Sequence, residues 1–196
     1  MCSSDLATQI LWINFVITAP VGIALGLDKE TPGLMRRRPR PRKDSIMSRP
    51  VLITVALAGL FMSLAIDLLI VFGDHHYDSV AIGSTMGLVA FSLMLVVAAL
   101  ECRDQTATVL RDETLNNNTV NLAIIAEVVL ALLIGRGGAL TSLLNTQPLT
   151  GRQWLWGAFP ALLLFIGWEL GKLIARRRSE SLPAAAPIDA TAEAAA

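Results

Sequence analysis

Charged side chains are scarce in this sequence of 196 residues, where Asp, Glu, Lys and Arg together make up 16% and hydrophobic residues make up 54%. The charges lie in blocks between long uncharged runs, which argues against a globular domain and favours a membrane protein with several spans. Cysteine is also rare, and Cys2 and Cys102 are too far apart in sequence to indicate a disulfide framework or a cysteine-based metal site. No Ser/His/Asp set, Cys/His pair or glycine-rich phosphate loop is present, so the sequence predicts no catalytic residues.

Apolar runs of membrane-spanning length dominate what the sequence does contain. A helix rises about 1.5 Å per residue, so roughly 20 apolar residues cross a hydrocarbon core of about 30 Å. Five runs approach or reach this length, and they predict spans at residues 10–27, 51–72, 84–100, 120–134 and 154–174. The predicted fold is an all-α membrane protein, a five-span transmembrane helical bundle that has the lipid bilayer as its partner.

The positive charges predict the orientation of these spans. Eight Lys and Arg residues lie in the segment from Lys29 to Pro50, and three arginines follow the last span. If the first loop is cytoplasmic, fourteen of the sixteen Lys and Arg residues are cytoplasmic, and only Arg136 and Arg152 are outside. The positive-inside rule therefore predicts an extracytoplasmic N-terminus and a cytoplasmic C-terminus. Because no aromatic or helical support accompanies the basic loop, nucleic acid is not a predicted partner.

The first span contains polar groups that suggest a binding site. Asn14 and Thr18 are four residues apart and share one helix face. Pro20 has no N–H group and its ring crowds the carbonyl of Val16, so that carbonyl is expected to lose its helical partner at a kink. The Asn14 amide, the Thr18 hydroxyl and the Val16 carbonyl could then converge on an ion. The alternative is that the two polar side chains bond to neighbouring helices and that the proline only bends the span.

Besides Glu169 in the last span, two acidic residues lie within the predicted spans. Glu127 lies near the middle of the fourth span, where a carboxyl group is costly and is a functional candidate by default. Asp67 lies towards the end of the second span, where water or a neighbouring helix can satisfy it. His75 and His76 fall in a predicted turn from Gly73 to Gly83, where a solvated turn is favoured over a metal site because no third ligand is suitably spaced.

Three other sequence features concern helix packing and the loops. Gly83 and Gly87, four residues apart, predict a close-packed helix face. Glu169 and Lys172 are three apart and are expected to pair on the surface of the last span. Residues 101–118 and 135–151 are predicted to be loops.

Several stretches resemble the C-terminal transmembrane region of P-type cation-transporting ATPases. The run Gln9–Val16, continued by Ala24–Gly26 and by a Met-x-x-Arg-Pro-Arg sequence from Met35, is similar to the sixth transmembrane helix and following loop of that family. Thr85–Leu88 resembles the start of helix eight, and Trp168–Leu173 resembles the end of helix ten. The resemblance extends from about Ala7 to Arg178 and implies helices six to ten of a cation pump.

The same resemblance assigns roles to particular positions. Asn14 falls on the family's ion-coordinating asparagine, but Ile17 and Thr18 occupy the place of its Thr-Asp pair. Leu95 lies near the place of a coordinating glutamate in helix eight. Because hard divalent cations favour carboxylate oxygens, we expect weaker calcium selectivity, or transport of a proton or another ion. The resemblance implies ATP and Mg²⁺ as cofactors of the complete pump but none in this chain, which lacks the Asp-Lys-Thr-Gly-Thr phosphorylation motif.

The ends of the chain are predicted to lie outside the membrane domain. Cys2–Leu6 resembles a peptide encoded by a sequencing adapter, so residues 1–6 are interpreted as a non-native leader, the alternative being a genuine short N-terminus. The membrane domain is then 7–178, and 179–196 is predicted to be a disordered tail. A missing N-terminal catalytic portion of the pump and the transported cation are the expected partners, in a multi-pass protein of the bacterial plasma membrane. The competing interpretation is a stand-alone, non-enzymatic five-span subunit.

Overall fold

The computed structural model describes residues 3–27, 49–103 and 118–180. Within these ranges the chain forms helices joined by short turns, with no strand. The elements are α1 (Ser3–Trp12), a π-helical segment (Ile13–Thr18), α2 (Ala19–Gly26), α3 (Arg49–Tyr77), α4 (Val80–Arg103), α5 (Asn118–Arg136), α6 (Ala139–Leu144) and α7 (Gly151–Glu180). The first three elements follow one another without interruption and form the first span.

Five helices of the described ranges are long and apolar enough to cross a membrane, which confirms the predicted five-span all-α bundle. They are Ala7–Gly26, Val51–Tyr77, Val80–Cys102, Asn118–Arg136 and Gly151–Ile174. The last four extend beyond the predicted windows because hydropathy marks only the apolar middle of a helix, whereas polar residues continue it at either end. Most of the basic loop, most of the polar loop before α5 and the tail after Glu180 lie outside the described residues.

The connection between α3 and α4 is much shorter than the predicted turn from Gly73 to Gly83. Helix α3 continues to Tyr77 and α4 begins at Val80, so only Asp78 and Ser79 connect them. Asp78 reverses the chain with a φ of 49°. The Ser79 hydroxyl accepts the backbone N–H of Ile82 at 3.3 Å, which satisfies a free donor at the start of α4. The predicted turn was too long, because the polar residues at the end of α3 were interpreted as part of a loop.

The predicted loop at 135–151 is also partly helical, because α6 lies within it. Gly138 precedes this short helix with a φ of 130°, and its N–H donates to Thr141 Oγ1 at 3.3 Å. The Leu149 N–H donates to the Gly135 carbonyl at 2.8 Å and closes the segment into a compact cap. The cap is anchored to the first span by Gln9, whose Nε2 donates to the Leu144 carbonyl at 2.7 Å.

Helix α4 is the centre of the bundle. It packs against α2, α3, α5 and α7, and 56% of its apolar window is buried, compared with 11% to 28% for the other spans. One core cluster joins α4 to α3 and α7: Leu69, Met86, Ala90, Met94, Ala161 and Leu164. A second joins α4 to α5 and α6: Leu88, Val89, Ile134 and Leu144. The remaining spans expose apolar side chains outwards, as lipid-facing helices do.

Glycines let α3 and α4 approach closely. A methyl group on Gly73 would lie 2.3 Å from the Cα atom of Gly83, and one on Gly83 would lie 2.7 Å from the carbonyl oxygen of Ile70. A methyl group on Gly87 would lie 3.2 Å from Ile66 Cγ2. The predicted close-packed face of Gly83 and Gly87 is confirmed, and it packs against α3.

Replacing Gly83 with Ala should destabilise the bundle, since the new methyl group meets backbone atoms of α3 that cannot rotate away. We expect a loss of about 1–3 kcal/mol in the free energy of unfolding, the usual cost of overpacking. Gly59→Ala is the matched control, because nothing lies within 4 Å of a methyl group on this α3 glycine. Denaturation in detergent micelles, followed by circular dichroism, measures both, and equal stability of the two variants would contradict the close contact.

Candidate functional site

The first span changes its helical geometry beside the predicted ion-binding residues. Residues Ile13–Thr18 are π-helical, and the Ala19 N–H donates to the Asn14 carbonyl, five residues earlier. Pro20 then lies in the first turn of α2, where a missing N–H is tolerated. π-Helical turns are frequent at functional sites. The chain thus accommodates Pro20 by a wider turn that contains Asn14, Val16 and Thr18.

The polar face of the first span is directed away from the other described helices. Ile17 is fully buried and Val21 nearly so, and α2 packs against α4 and α5. Asn14, Thr18 and Pro20 are exposed, and Val16 is half-buried. The Asn14 side chain donates from Nδ2 to the Ile10 carbonyl at 2.8 Å, within its own helix. Packing against a neighbouring helix and ion binding both remain predictions for this face.

Asp67 and Glu127, the two intramembrane acids considered as functional candidates from the sequence, have contrasting environments. Asp67 is exposed on α3, whereas Glu127 on α5 is only 2% exposed. The Ser92 hydroxyl of α4, which is fully buried, lies beside the Glu127 carboxyl. Ser92 Oγ and Glu127 Oε1 nevertheless lack a hydrogen-bond partner of good geometry among the described residues. Ser92 was not predicted from the sequence, although a hydroxyl in the middle of an apolar span was a signal.

A buried ion pair joins α4 to α7. Lys172 Nζ lies 2.6 Å from Glu101 Oε2, with side chains that are 4% and 0% exposed. The predicted pair of Lys172 with Glu169 is present at 3.9 Å, but it is the longer of the two. Glu101 was assigned to a loop, which was wrong, because α4 continues to Arg103. The polar residues that follow Glu101 favoured the prediction of a loop at a position where the helix continues.

Removing one partner of this ion pair should destabilise the bundle more than removing both partners. Lys172→Met leaves the Glu101 carboxylate buried without its cation, at a cost of about 3–5 kcal/mol in the free energy of unfolding. The double variant Glu101→Gln with Lys172→Met should recover much of this loss.

Glu169→Gln is the control, because Glu169 is farther from Lys172 and partly exposed. Unfolding in detergent measures the stability of the wild type and of all three variants. A double variant as unstable as Lys172→Met would show that the lysine acts by packing and not by charge.

The two histidines that were predicted to lie in a turn are helical in the structure. His75 and His76 are exposed in the last turn of α3, and the His76 ring stacks on Phe72 with ring centres 5.1 Å apart. Among the described residues, no group of three or more His, Cys, Asp or Glu side chains is arranged to hold a metal ion.

The fold and these polar groups define a polytopic membrane domain with one densely packed central helix and one span whose polar face lies on its outside. Residues 6–174 match the family described as "Cation transporting ATPase, C-terminus". The chain belongs to this family, the C-terminal membrane region of P-type cation ATPases, and the resemblance drawn from its sequence motifs is confirmed.

Three relatives illustrate the match. The chain is 25% identical over 175 residues to the "Calcium-transporting ATPase" of Bacillus subtilis (strain 168), covering 87% of the chain and 19% of that protein. It is 31% identical over 120 residues to "Calcium-transporting ATPase 1" of Schizosaccharomyces pombe (strain 972 / ATCC 24843), covering 60% and 13%. It is 26% identical over 146 residues to "Calcium-transporting ATPase type 2C member 1" of Homo sapiens, covering 74% and 16%. The chain therefore spans about a fifth or less of the length of these relatives.

Proposed function

We propose that this chain is the membrane segment of an ATP-driven cation pump and that its first span lines the ion pathway. The observation that carries the proposal is the exposure of Asn14 and Thr18 beside a π-helical turn, on the side of the span that faces away from the other described helices. Polar groups in hydrocarbon need protein, water or an ion to satisfy them. The match to part of much longer pumps favours this function over a stand-alone subunit.

The first span supplies neutral oxygen ligands to the proposed pathway. These are the Asn14 amide oxygen, the Thr18 hydroxyl and the Val16 carbonyl, with Pro20 fixing the wider turn that presents them. By the family resemblance, Thr18 stands at the place of the coordinating aspartate and Leu95 near that of the coordinating glutamate, and neither side chain has a carboxylate. We therefore expect weak calcium selectivity, or transport of a proton or another cation.

The remaining components of the pump are assigned to parts outside this chain. By family resemblance the complete pump uses ATP and Mg²⁺, for which the described residues offer no phosphate loop and no cluster of metal ligands. The N-terminal catalytic and transmembrane portion is the proposed partner that covers the polar face of the first span. We place the protein in the bacterial plasma membrane with its C-terminus in the cytoplasm, in accordance with the positive charges.

Ion uptake into vesicles that contain the complete pump tests the ion pathway. Thr18→Val keeps the shape of the side chain but removes its oxygen, and Asn14→Ala removes the amide. Each should weaken cation affinity about tenfold or more, because a hydrogen-bonding group to a charge is worth about 1.5–3 kcal/mol. Ser63→Ala, which removes an exposed hydroxyl from α3, is the control and should leave uptake unchanged.

Two outcomes would contradict this proposal. Strong calcium uptake that a chelator abolishes would refute the expected loss of calcium selectivity. Equal affinities of Thr18→Val, Asn14→Ala and Ser63→Ala would exclude the first span as the wall of the pathway.

Thiol labelling tests the proposed orientation. Cys102 is exposed at the end of α4, and Cys2→Ser leaves it as the single cysteine. A membrane-impermeant maleimide should label Cys102 in inside-out vesicles but not in intact spheroplasts, because the positive-inside rule predicts that this end of α4 is cytoplasmic. Gln147→Cys, introduced together with Cys2→Ser and Cys102→Ser, is the control at an exposed site between α6 and α7. This site is predicted to be extracytoplasmic, so it should be labelled in intact spheroplasts but not in inside-out vesicles. The reverse labelling pattern would invert the topology.

A further inference from the structure

Glu127 occupies the inward stripe of α5 at the midpoint of its span. The stripe is spaced as one helix face and contains Val120, Glu127, Ala131 and Ile134, each at most 2% exposed. The lipid-facing side of the same helix carries the large apolar side chains Leu122, Ile125, Val129, Leu132 and Leu133. The acid is therefore enclosed by protein at the depth where neither water nor the headgroup region can reach a short side chain.

Ser92 faces this carboxyl group from the central helix. It lies near the midpoint of its own span, Val80–Cys102, so both polar groups are at the same depth of the bundle. The side chain of Ser92 is fully buried beside Glu127, and neither Ser92 Oγ nor Glu127 Oε1 has a hydrogen-bond partner of good geometry among the described residues. Buried polar atoms normally are paired, so this unsatisfied pair indicates a missing ligand.

The charged groups of the neighbouring helices do not neutralise Glu127. Helix α5 packs against α2, α4 and α6, and neither α2 nor α6 carries a titratable side chain. On α4 the acid Glu101 is nine residues from Ser92, about 14 Å along the helix, and is paired with Lys172. On α5 itself Arg136 is nine residues from Glu127, also about 14 Å away, and is exposed.

The number of oxygen ligands decides which cation fits. A carboxylate and one hydroxyl provide three oxygens, whereas Ca²⁺ requires about six to eight and Mg²⁺ a nearly ideal octahedron. A proton needs no coordination shell. When it binds, the carboxyl group gains an O–H donor for Ser92 Oγ, and the Ser92 hydroxyl can donate to the other carboxyl oxygen. One proton therefore removes the buried negative charge and satisfies both unpaired atoms.

We propose that Glu127 and Ser92 form a proton-binding site between α5 and α4, separate from the first-span face of the proposed ion pathway. The carboxylate takes one proton from water to become a neutral acid and returns it when the two helices separate; no other bond changes. Proton binding does not depend on the pump function proposed above, but its coupling to transport does.

Infrared spectroscopy of the full chain in phospholipid vesicles tests proton binding directly. The wild-type chain should show the C=O stretch of a protonated carboxylic acid at neutral pH, and Glu127→Gln should lose that band. Asp67→Asn is the matched control and should keep it, because Asp67 is exposed. Ser92→Ala should shift the band, because the C=O group loses its hydrogen bond. A wild-type spectrum without the band, or a band that survives Glu127→Gln, would overturn the proposal.

Two measurements keep this test decisive. If Glu127→Gln does not fold, as judged by its helical circular dichroism, the decision rests on Ser92→Ala, where an unshifted band would count against the site. If proton binding is coupled to transport, the complete pump should move protons in the direction opposite to the cation. Glu127→Gln should then lose this ATP-driven proton movement while cation uptake continues, and unchanged proton movement would refute the coupling. A pump that transports nothing, combined with an intact infrared result, would refute only the proposed function.

Discussion

The hydrocarbon core of a bilayer offers no hydrogen bonds, and this constraint accounts for the positions of the polar residues in this chain. Helix α4 is the most buried span and also contains the buried polar side chains Ser84, Thr85, Ser92 and Glu101. The Thr85 hydroxyl serves twice, donating to the Ala81 carbonyl at 2.7 Å and accepting the Gln147 N–H at 2.9 Å. For Thr85, protein groups therefore take the place of water.

Two different kinds of contact hold α4 in the centre. At one end, Gly73 and Gly83 bring the backbones of α3 and α4 together, so that packing replaces the hydrophobic driving force that lipid does not provide. At the other end, the ion pair of Glu101 with Lys172 ties α4 to α7 in a setting where an unpaired charge would be costly. The first span has only one packed side, because Ile17 and Val21 are buried while Asn14 and Thr18 are exposed. Its polar side thus lacks a covering surface among the described residues.

The sequence predicted the spans and their number but not the local polar contacts. Long apolar runs indicate membrane spans directly, and the spacing of Gly83 and Gly87 indicates a packed helix face. Both predictions were confirmed. Helix ends were less predictable, because residues such as His75 and Glu101 are polar yet continue a helix whose backbone bonds do not depend on side-chain polarity. The partner of Lys172 is 71 residues away in sequence, and only the packing of α4 on α7 brings the two together. The π-helical turn likewise required the structure, since Pro20 alone predicted only a kink.

Charge explains why a pathway wall made of neutral oxygens should favour some cations over others. Exchanging a carboxylate for an amide or hydroxyl removes an attraction that is proportional to the charge of the ion. At a separation of about 4 Å and an effective dielectric constant of about 20, this loss is about 4 kcal/mol for a monovalent cation and about 8 kcal/mol for a divalent one. In the proposed pathway, the dipoles of Asn14, Thr18 and the Val16 carbonyl would compensate a monovalent ion more completely. A divalent cation would therefore need its carboxylates from helices outside this chain, which makes the covering portion decisive for selectivity.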